Sequence, residues 1–292
     1  MPAIYRMTSR VRTYECDAYG HLNNVNYIRL MQEAAIEASA AVGWDMARYA
    51  AVGQHWLIRE TDIQYLRPFL YGDTIEITTW VEDFRRVRSR RIYEFRKVGD
   101  AELYARAETD WVYLDRQTKQ LAAIPPQMVT DFAPEGDAPV GTPRSKFPVP
   151  AAPAPEIFTL RKRVEWRDID MEGHANNAAY VGYLEDLSTQ VGRHYGWPMQ
   201  RLIDSGTIII LRQLRLVYHQ PAFMDEEVEI HAWLSDLRRV SVVRHYRMER
   251  VGDGALLAQA RGLWVSYDLH KQRLTSVSKE MLDDFAPNVS RE

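Results

Sequence analysis

Apolar residues recur at Tyr27, Leu30, Met31, Ala34, Ala35, Ala38 and Val42, the spacing of one face of a helix. Asn23-Asn24 just before them are good N-cap types and Gly43 stops the run, so the pattern predicts a helix of about 18 residues. Ahead of it, Tyr5 to Tyr14 is short, β-rich and ends at a loop containing Asp17. Behind it, His55 to Leu66, Thr74 to Phe84, Ser89 to Val98 and Leu103 to Asp115 read as antiparallel strands, followed by a short strand around Leu121. Val98-Gly99-Asp100 and Asp115 to Lys119 supply hairpin turns. The scheme then starts again, with a second helix from Asn177 to Tyr195 stopped by Gly196, and with Pro198 suited to the first turn of a short helix. A lone helix of this length cannot hide its surface and a sheet needs one face covered, so the economical packing wraps each sheet around its helix.

The recurrence is a duplication. With a shift of 153 residues, Asp17-Ala-Tyr-Gly20-His21-Leu-Asn23-Asn24-Val-Asn-Tyr27 falls on Asp170-Met-Glu-Gly173-His174-Ala-Asn176-Asn177-Ala-Ala-Tyr180. The register holds without a gap through Gly43-Trp44 on Gly196-Trp197, Arg85-Arg86-Val87 on Arg238-Arg239-Val240, and Asp131 to Pro134 on Asp284 to Pro287. Roughly 40 of about 125 pairs from Arg10 to Pro134 are identical, several times the chance level. The expected organisation is a first domain over 1–134, a connector over 135–156 and a second domain over 157–292. The run Phe147-Pro-Val-Pro-Ala-Ala-Pro-Ala-Pro155 favours an extended, semi-rigid tether that lets the two halves pair as a pseudo-dimer within one chain.

Composition narrows the class. Lys+Arg 37 against Asp+Glu 40 gives a formal charge of −3, with no global attraction for nucleic acid or an anionic membrane. No signal-peptide core and no membrane-length apolar stretch is read, and the single cysteine, Cys16, forms no intrachain disulfide, so a cytoplasmic protein is expected. No Gly-x-Ser-x-Gly elbow occurs. Asp-x-x-x-His could place two metal ligands together, yet a suitable third is missing nearby in both copies, so neither metal nor cofactor is expected. Cys16 is matched by Ile169 in the second copy and reads as a small apolar neighbour.

The motif Asp-x-x-Gly-His-x-Asn-Asn-x-x-Tyr, present twice at a helix start, together with the element order resembles the hotdog-fold thioesterases, in particular the 4-hydroxybenzoyl-CoA thioesterase-like family, here as a tandem. The resemblance implies an α+β fold, a double hotdog in which each half is an antiparallel sheet wrapped around a long central helix. It also implies hydrolysis of an acyl thioester, usually acyl-CoA, with the motif aspartates, here Asp17 and Asp170, as nucleophile or general base. The family commonly holds CoA phosphates with basic residues at the bend between two middle strands, a position occupied here by Arg85-Arg86 and Arg238-Arg239. The tandem acyl-ACP thioesterases share His-x-Asn-Asn and are the nearest rival, with an acyl-carrier protein as partner. Their catalytic asparagine and glutamate fall on Tyr19 or Glu172 and on Pro68 or Pro221 here, a departure that favours CoA.

The residues themselves support the same chemistry. A thioester carbonyl needs a nucleophile or activated water plus donors for the developing oxyanion, and a carboxylate beside a helix N-terminus supplies both. The alternative for Asp17 and Asp170 is an Asx-turn that shapes the loop. His21 and His174 orient the aspartate, hold substrate or shape the turn. Asn23, Asn24, Asn176 and Asn177 read as caps and loop-formers, with a substrate contact for one of each pair, assigned to Asn24 and Asn177, and Tyr27 and Tyr180 pack on the helix face. Other readings are a hotdog dehydratase and a non-catalytic acyl-CoA sensor. Which acyl group is used, whether both sites act and whether chains associate further are not legible.

Overall fold

The computed structural model describes residues 2–133 and 145–290. The chain divides into two compact units, Met1–Lys146 and Phe147–Glu292. Residues 135–144 of the expected connector lie outside the described residues.

Unit 1 runs β1 (Tyr5–Arg10), α1 (Asn24–Ala41), α2 (Met46–Val52), β2 (Gln54–Tyr65), β3 (Thr74–Arg85), β4 (Arg88–Lys97), β5 (Leu103–Asp115) and α3 (Pro126–Phe132). Its strands pair antiparallel in the order β1-β3-β4-β5-β2. The inward face of α1 buries Tyr27, Ile28, Met31, Ala34, Ala35 and Ala38. The alanines let the sheet approach closely, while Tyr27 reaches across it, 5.1 Å from the Tyr65 ring on β2 and 5.5 Å from Phe95 on β4. Burial of one such side chain contributes roughly 2 kcal/mol, so this helix face holds the curved sheet to itself.

Unit 2 repeats the plan with β6 (Phe158–Arg163), α4 (Asn177–His194), α5 (Met199–Asp204), β7 (Thr207–Tyr218), β8 (Glu227–Ser235), β9 (Ser241–Arg250), β10 (Leu256–Asp268), β11 (Arg273–Leu274) and α6 (Lys279–Phe285). Its strand order is β6-β8-β9-β10-β7, with β11 on β10. The far end of each helix is closed by the same device. The Trp44 indole donates to Asp131 Oδ2 at 2.9 Å under the Arg48 guanidinium, and Trp197 donates to Asp284 Oδ2 at 2.9 Å under Arg201. The repeated Gly-Trp and Asp-Phe-Ala-Pro segments are therefore two halves of one contact. Among the described residues no helix is long and apolar enough to cross a membrane.

Several boundaries differ from the expected ones for local reasons. The first strand ends at Arg10, and the chain then makes a 3-10 turn at Thr13–Glu15. Pro198 caps α5 from outside instead of entering its first turn. The strand around Leu121 is a single bridge to Leu114 in unit 1 and two residues long in unit 2. α2, α3 and α6 span seven residues each, too short for an apolar period to show. The described part of the connector packs on unit 2, where Ala151 O accepts the Trp233 indole N–H at 3.2 Å.

Below that segment lies a buried polar pair, with Ser235 Oγ 2.7 Å from His245 Nε2 and 3.1 Å from Asp236 Oδ2. Burial, then the nearby Arg261 charge, lowers the His245 pKa to about 4, against the raising effect of Asp236. The folded state thus keeps His245 neutral while the unfolded chain protonates it near pH 6.5. Its stabilising contribution is complete above pH 6.5 and is lost as pH falls from there towards 4. In chemical denaturation, wild type should lose stability more steeply than His245→Gln across that window; parallel curves would contradict it.

Candidate active site

In each unit the motif forms a closed turn between a 3-10 turn and the central helix. Asp17 N–H donates to His21 O at 2.8 Å and Gly20 N–H to Asp17 O at 3.0 Å, and Asp170, His174 and Gly173 repeat both bonds at 3.0 Å. Gly20 and Gly173 take φ of +78° and +81°, where a side chain would be strained. Bridges between Cys16 and Leu22 and between Ile169 and Ala175 join the legs of the turn. Leu22 N–H donates to Phe69 O and Ala175 N–H to Ala222 O, each at 2.8 Å, which fixes the turn to the connection leading into β3 or β8.

The aspartates point back into this turn. Asp17 Oδ1 accepts the Tyr19 and His21 amides at 2.9 and 3.0 Å. Asp170 Oδ1 accepts the Glu172 amide at 2.9 Å, and its Oδ2 lies 3.3 Å from Asn176 Nδ2. The Asx-turn geometry and the chemical role are therefore compatible: one oxygen is held by backbone, which orients the carboxylate.

Helix capping decides which amides remain. Asn23 Oδ1 accepts Val25 N–H and Asn23 O accepts Asn26 N–H, both at 2.9 Å; Asn176 does the same for Ala178 and Ala179 at 2.8 Å. Among the described residues this leaves the first-turn amides of Asn24 and Asn177 without a protein acceptor, at the positive end of each 18-residue helix. Each unit thus carries a backbone-held carboxylate in the turn that leads into the helix and an unspent amide at the helix start, and in unit 2 the cap side chain of Asn176 links the two, 3.3 Å from Asp170 Oδ2.

The histidines contribute differently from their aspartates. His21 acts on Asp17 through its peptide N–H. The His174 ring lies 4.0 Å from Asp170 Oδ1, beyond hydrogen-bond reach, and 3.3 Å from Ala175 O. Tyr27 and Tyr180 are buried; the Tyr180 hydroxyl accepts Ala222 N–H at 3.0 Å, and burial pushes its pKa up to about 12. Burial, with the Asp17 and Glu15 carboxylates, raises the Cys16 thiol, an environment unsuited to a thiolate nucleophile. Among the described residues no three His, Cys, Asp or Glu side chains gather as a metal-ligand set.

The arginine pairs lie elsewhere in each unit. Arg85 ends β3 and Arg86 follows it, both exposed, whereas the Asp17 turn adjoins the start of β3 near Leu70. The length of that strand separates them, on the order of 30 Å. Arg85 Nε lies 3.3 Å from Asp83 Oδ2, and Arg239 Nε donates to Ser276 Oγ at 3.0 Å. Sequence reasoning missed a second matched set on the helix side of the sheet, Arg91, Tyr93 and Trp111 with Arg244, Tyr246 and Trp264. The signal was available, since all three pairs are identical at the 153-residue shift.

Comparison with known proteins agrees with this architecture. The profile of the thioesterase-like superfamily matches residues 11–132 and again 164–285. A palmitoyl-acyl carrier protein thioesterase, chloroplastic, of Cuphea hookeriana is 23% identical over 190 residues, 62% of this chain and 46% of that protein. The acyl-CoA thioester hydrolase YbgC of Escherichia coli O6:H1 is 27% identical over 129 residues, 44% of this chain and 96% of that protein. The chain thus spans about half the length of the plant relatives it matches. A structure described as an oleoyl thioesterase from Lactobacillus plantarum superposes with a TM-score of 0.78 at 20% identity, covering 90% of this chain and 96% of that one. The 12:0-ACP thioesterase from Umbellularia californica gives 0.70 at 18% identity, covering 90% and 94%. These two share the fold of the present chain.

Because Asn keeps a side-chain acceptor and Ala does not, the turn should respond differently to the two. Asp17→Asn should change stability by less than about 0.5 kcal/mol, and Asp17→Ala should lower it by about 1 kcal/mol. Urea denaturation checks this; equal losses would mean that the acceptor does not hold the turn.

Proposed function

The chain belongs to the thioesterase-like superfamily, and on that premise we propose that it hydrolyses an acyl-CoA thioester to the free acid and CoA in the cytoplasm. The observation that carries the proposal is the carboxylate of Asp17 or Asp170 beside the unspent amide of Asn24 or Asn177. The substrate carbonyl oxygen receives the N–H of Asn24 or Asn177, and the positive helix end stabilises the oxyanion as it forms. The aspartate then attacks the carbonyl carbon and expels the thiolate, leaving a mixed anhydride for water to cleave. Alternatively it takes the proton of a water that attacks directly. His21 and His174 bound the site, and the Asn24 and Asn177 side chains contact the substrate in this reading.

A second reading, hydrolysis of an acyl-ACP, is favoured by the plant thioesterases among the relatives. CoA is preferred because Tyr19, Glu172, Pro68 and Pro221 stand where the acyl-ACP enzymes are expected to carry catalytic asparagine and glutamate. Thiol release should be measured with acyl-CoAs from acetyl to palmitoyl, benzoyl and 4-hydroxybenzoyl, and with an acyl-ACP. Asp17→Asn with Asp170→Asn should lower turnover by about 10²-fold or more in a protein that stays folded. Undiminished turnover in that double variant would contradict the assignment, and loss in one single variant would identify the working half.

The exposed pairs Arg85-Arg86 and Arg238-Arg239 present guanidinium groups to solvent and are proposed to hold the CoA phosphates, although each pair stands the length of a strand away from the motif turn of its own unit. Arg85→Ala with Arg86→Ala should raise KM for a CoA ester several-fold more than for the matched N-acetylcysteamine ester. Equal effects on both esters would remove the pair from substrate binding.

A further inference from the structure

The capping asparagines are themselves held from behind. Asn23 N–H donates to Glu15 O at 2.9 Å, and Asn176 N–H donates to Asp168 O at 2.7 Å. Glu15 and Asp168 match at the 153-residue shift, and each ends the 3-10 turn ahead of its motif. The N–H of Asn24 or Asn177 belongs to the peptide plane that begins at the cap residue, so whatever fixes the cap fixes the direction of that N–H.

In each unit a side chain of the central helix reaches back to this anchor, and it is not the same side chain. In unit 1, Asn26 is 7% exposed; its Nδ2 donates to Glu15 O at 2.9 Å and its Oδ1 accepts Arg29 Nη1 at 3.0 Å. The matched residues in unit 2 are Ala179 and Gly182, which carry no polar side-chain atom. There Tyr183, 3% exposed, donates its hydroxyl to Asp168 Oδ2 at 2.6 Å, and the same oxygen accepts Glu165 N–H at 2.9 Å. Tyr183 is matched by Leu30, which cannot make the bond. Lys162, paired with Asp186, stands 5.2 Å over the Tyr183 ring. Burial, then the bond to Asp168, raises the Tyr183 pKa, so the hydroxyl keeps its proton and remains the donor.

A buried hydroxyl or amide needs some partner, and that need alone does not select which. Between the copies the donor residue, its place in the helix and the acceptor atom all differ, while the residue that is held does not. Two unrelated bonds to one matched anchor point to the anchor, and to the cap behind it, as what must stay in place.

We propose that Asn26 and Tyr183 are positioning residues, each locking the cap of its own unit through Glu15 or Asp168 and so aiming the first-turn amide at the substrate carbonyl. The consequence for turnover rests on the thioesterase reading; the hold on the cap does not.

Amide hydrogen exchange followed by NMR reads the lock without turnover. Tyr183→Phe keeps the ring and removes only the donor, and should speed exchange of the Asn176 amide by about 10-fold or more. Asn26→Ala should do the same to the Asn23 amide. Ala179→Asn added to Tyr183→Phe rebuilds the unit 1 bond in unit 2 and should recover most of the protection. For kinetics, Asp17→Asn leaves unit 2 as the working half and Asp170→Asn leaves unit 1. In those backgrounds Tyr183→Phe and Asn26→Ala, respectively, should lower kcat on an acyl-CoA by about 10-fold while KM changes less than about 2-fold, and Ala179→Asn should restore kcat to Tyr183→Phe. Unchanged exchange at the cap amide, faster exchange with kcat unchanged, or a rise in KM with kcat kept would each overturn the proposal. If wild type turns over no ester, the thioesterase reading fails and the exchange comparison still decides whether the cap is locked.

Discussion

A helix wrapped by its own sheet can turn its N-terminal amides only toward the loop that precedes it, and the candidate chemistry follows from that constraint. Asn23 and Asn176 satisfy part of the first turn, and the motif loop occupies the space ahead of it. The amides of Asn24 and Asn177 remain, under the positive end of the helix dipole, beside a carboxylate whose direction is set by backbone donors. The geometry that shapes the loop is the same geometry that the proposed chemistry uses. The turn uses aspartate as its backbone acceptor, glycine at the bend and asparagine at the cap in both units, while the half-buried position between aspartate and glycine is Tyr19 in one unit and Glu172 in the other.

Duplication gives an internal control on which contacts matter. The Trp44 to Asp131 bond recurs as Trp197 to Asp284 with the same length, so the closed helix end is part of the fold in both units. Cys16 becomes Ile169, and the bridge across the turn persists, so the thiol is not what that position requires. Arg90 becomes Val243 with loss of its acid partners, whereas Arg91 and Arg244 persist without acid partners among the described residues. Comparison of the two copies thereby separates side chains that both units keep from those that only one of them uses.

The sequence made the long elements legible because their periods run over many residues. α1 and α4 follow from the spacing of Tyr27 to Val42 and its repeat, and β2 to β5 come within a residue or two of their expected bounds. α2, α3 and α6 were not legible because seven residues carry too little periodicity. At the site, the aspartates and caps announced themselves through the repeated motif. That His21 acts by its amide and that the His174 ring stops short of Asp170 depend on the turn's backbone path, which spacing alone does not encode. Arg91 was hidden for another reason: among Arg85, Arg86, Arg88 and Arg90, only strand alternation in the folded sheet tells the buried from the solvated, and its match to Arg244 shows only in the repeat.

The proposed chemistry requires the thioester carbonyl at a helix N-terminus. A crystal structure with a non-hydrolysable acyl-CoA, in which a methylene replaces the thioester sulfur, tests this directly. The ketone oxygen should lie about 2.7–3.1 Å from the amide nitrogen of Asn24 or Asn177, with Asp17 or Asp170 facing the carbonyl carbon. A ligand whose carbonyl lies away from both helix N-termini would contradict it.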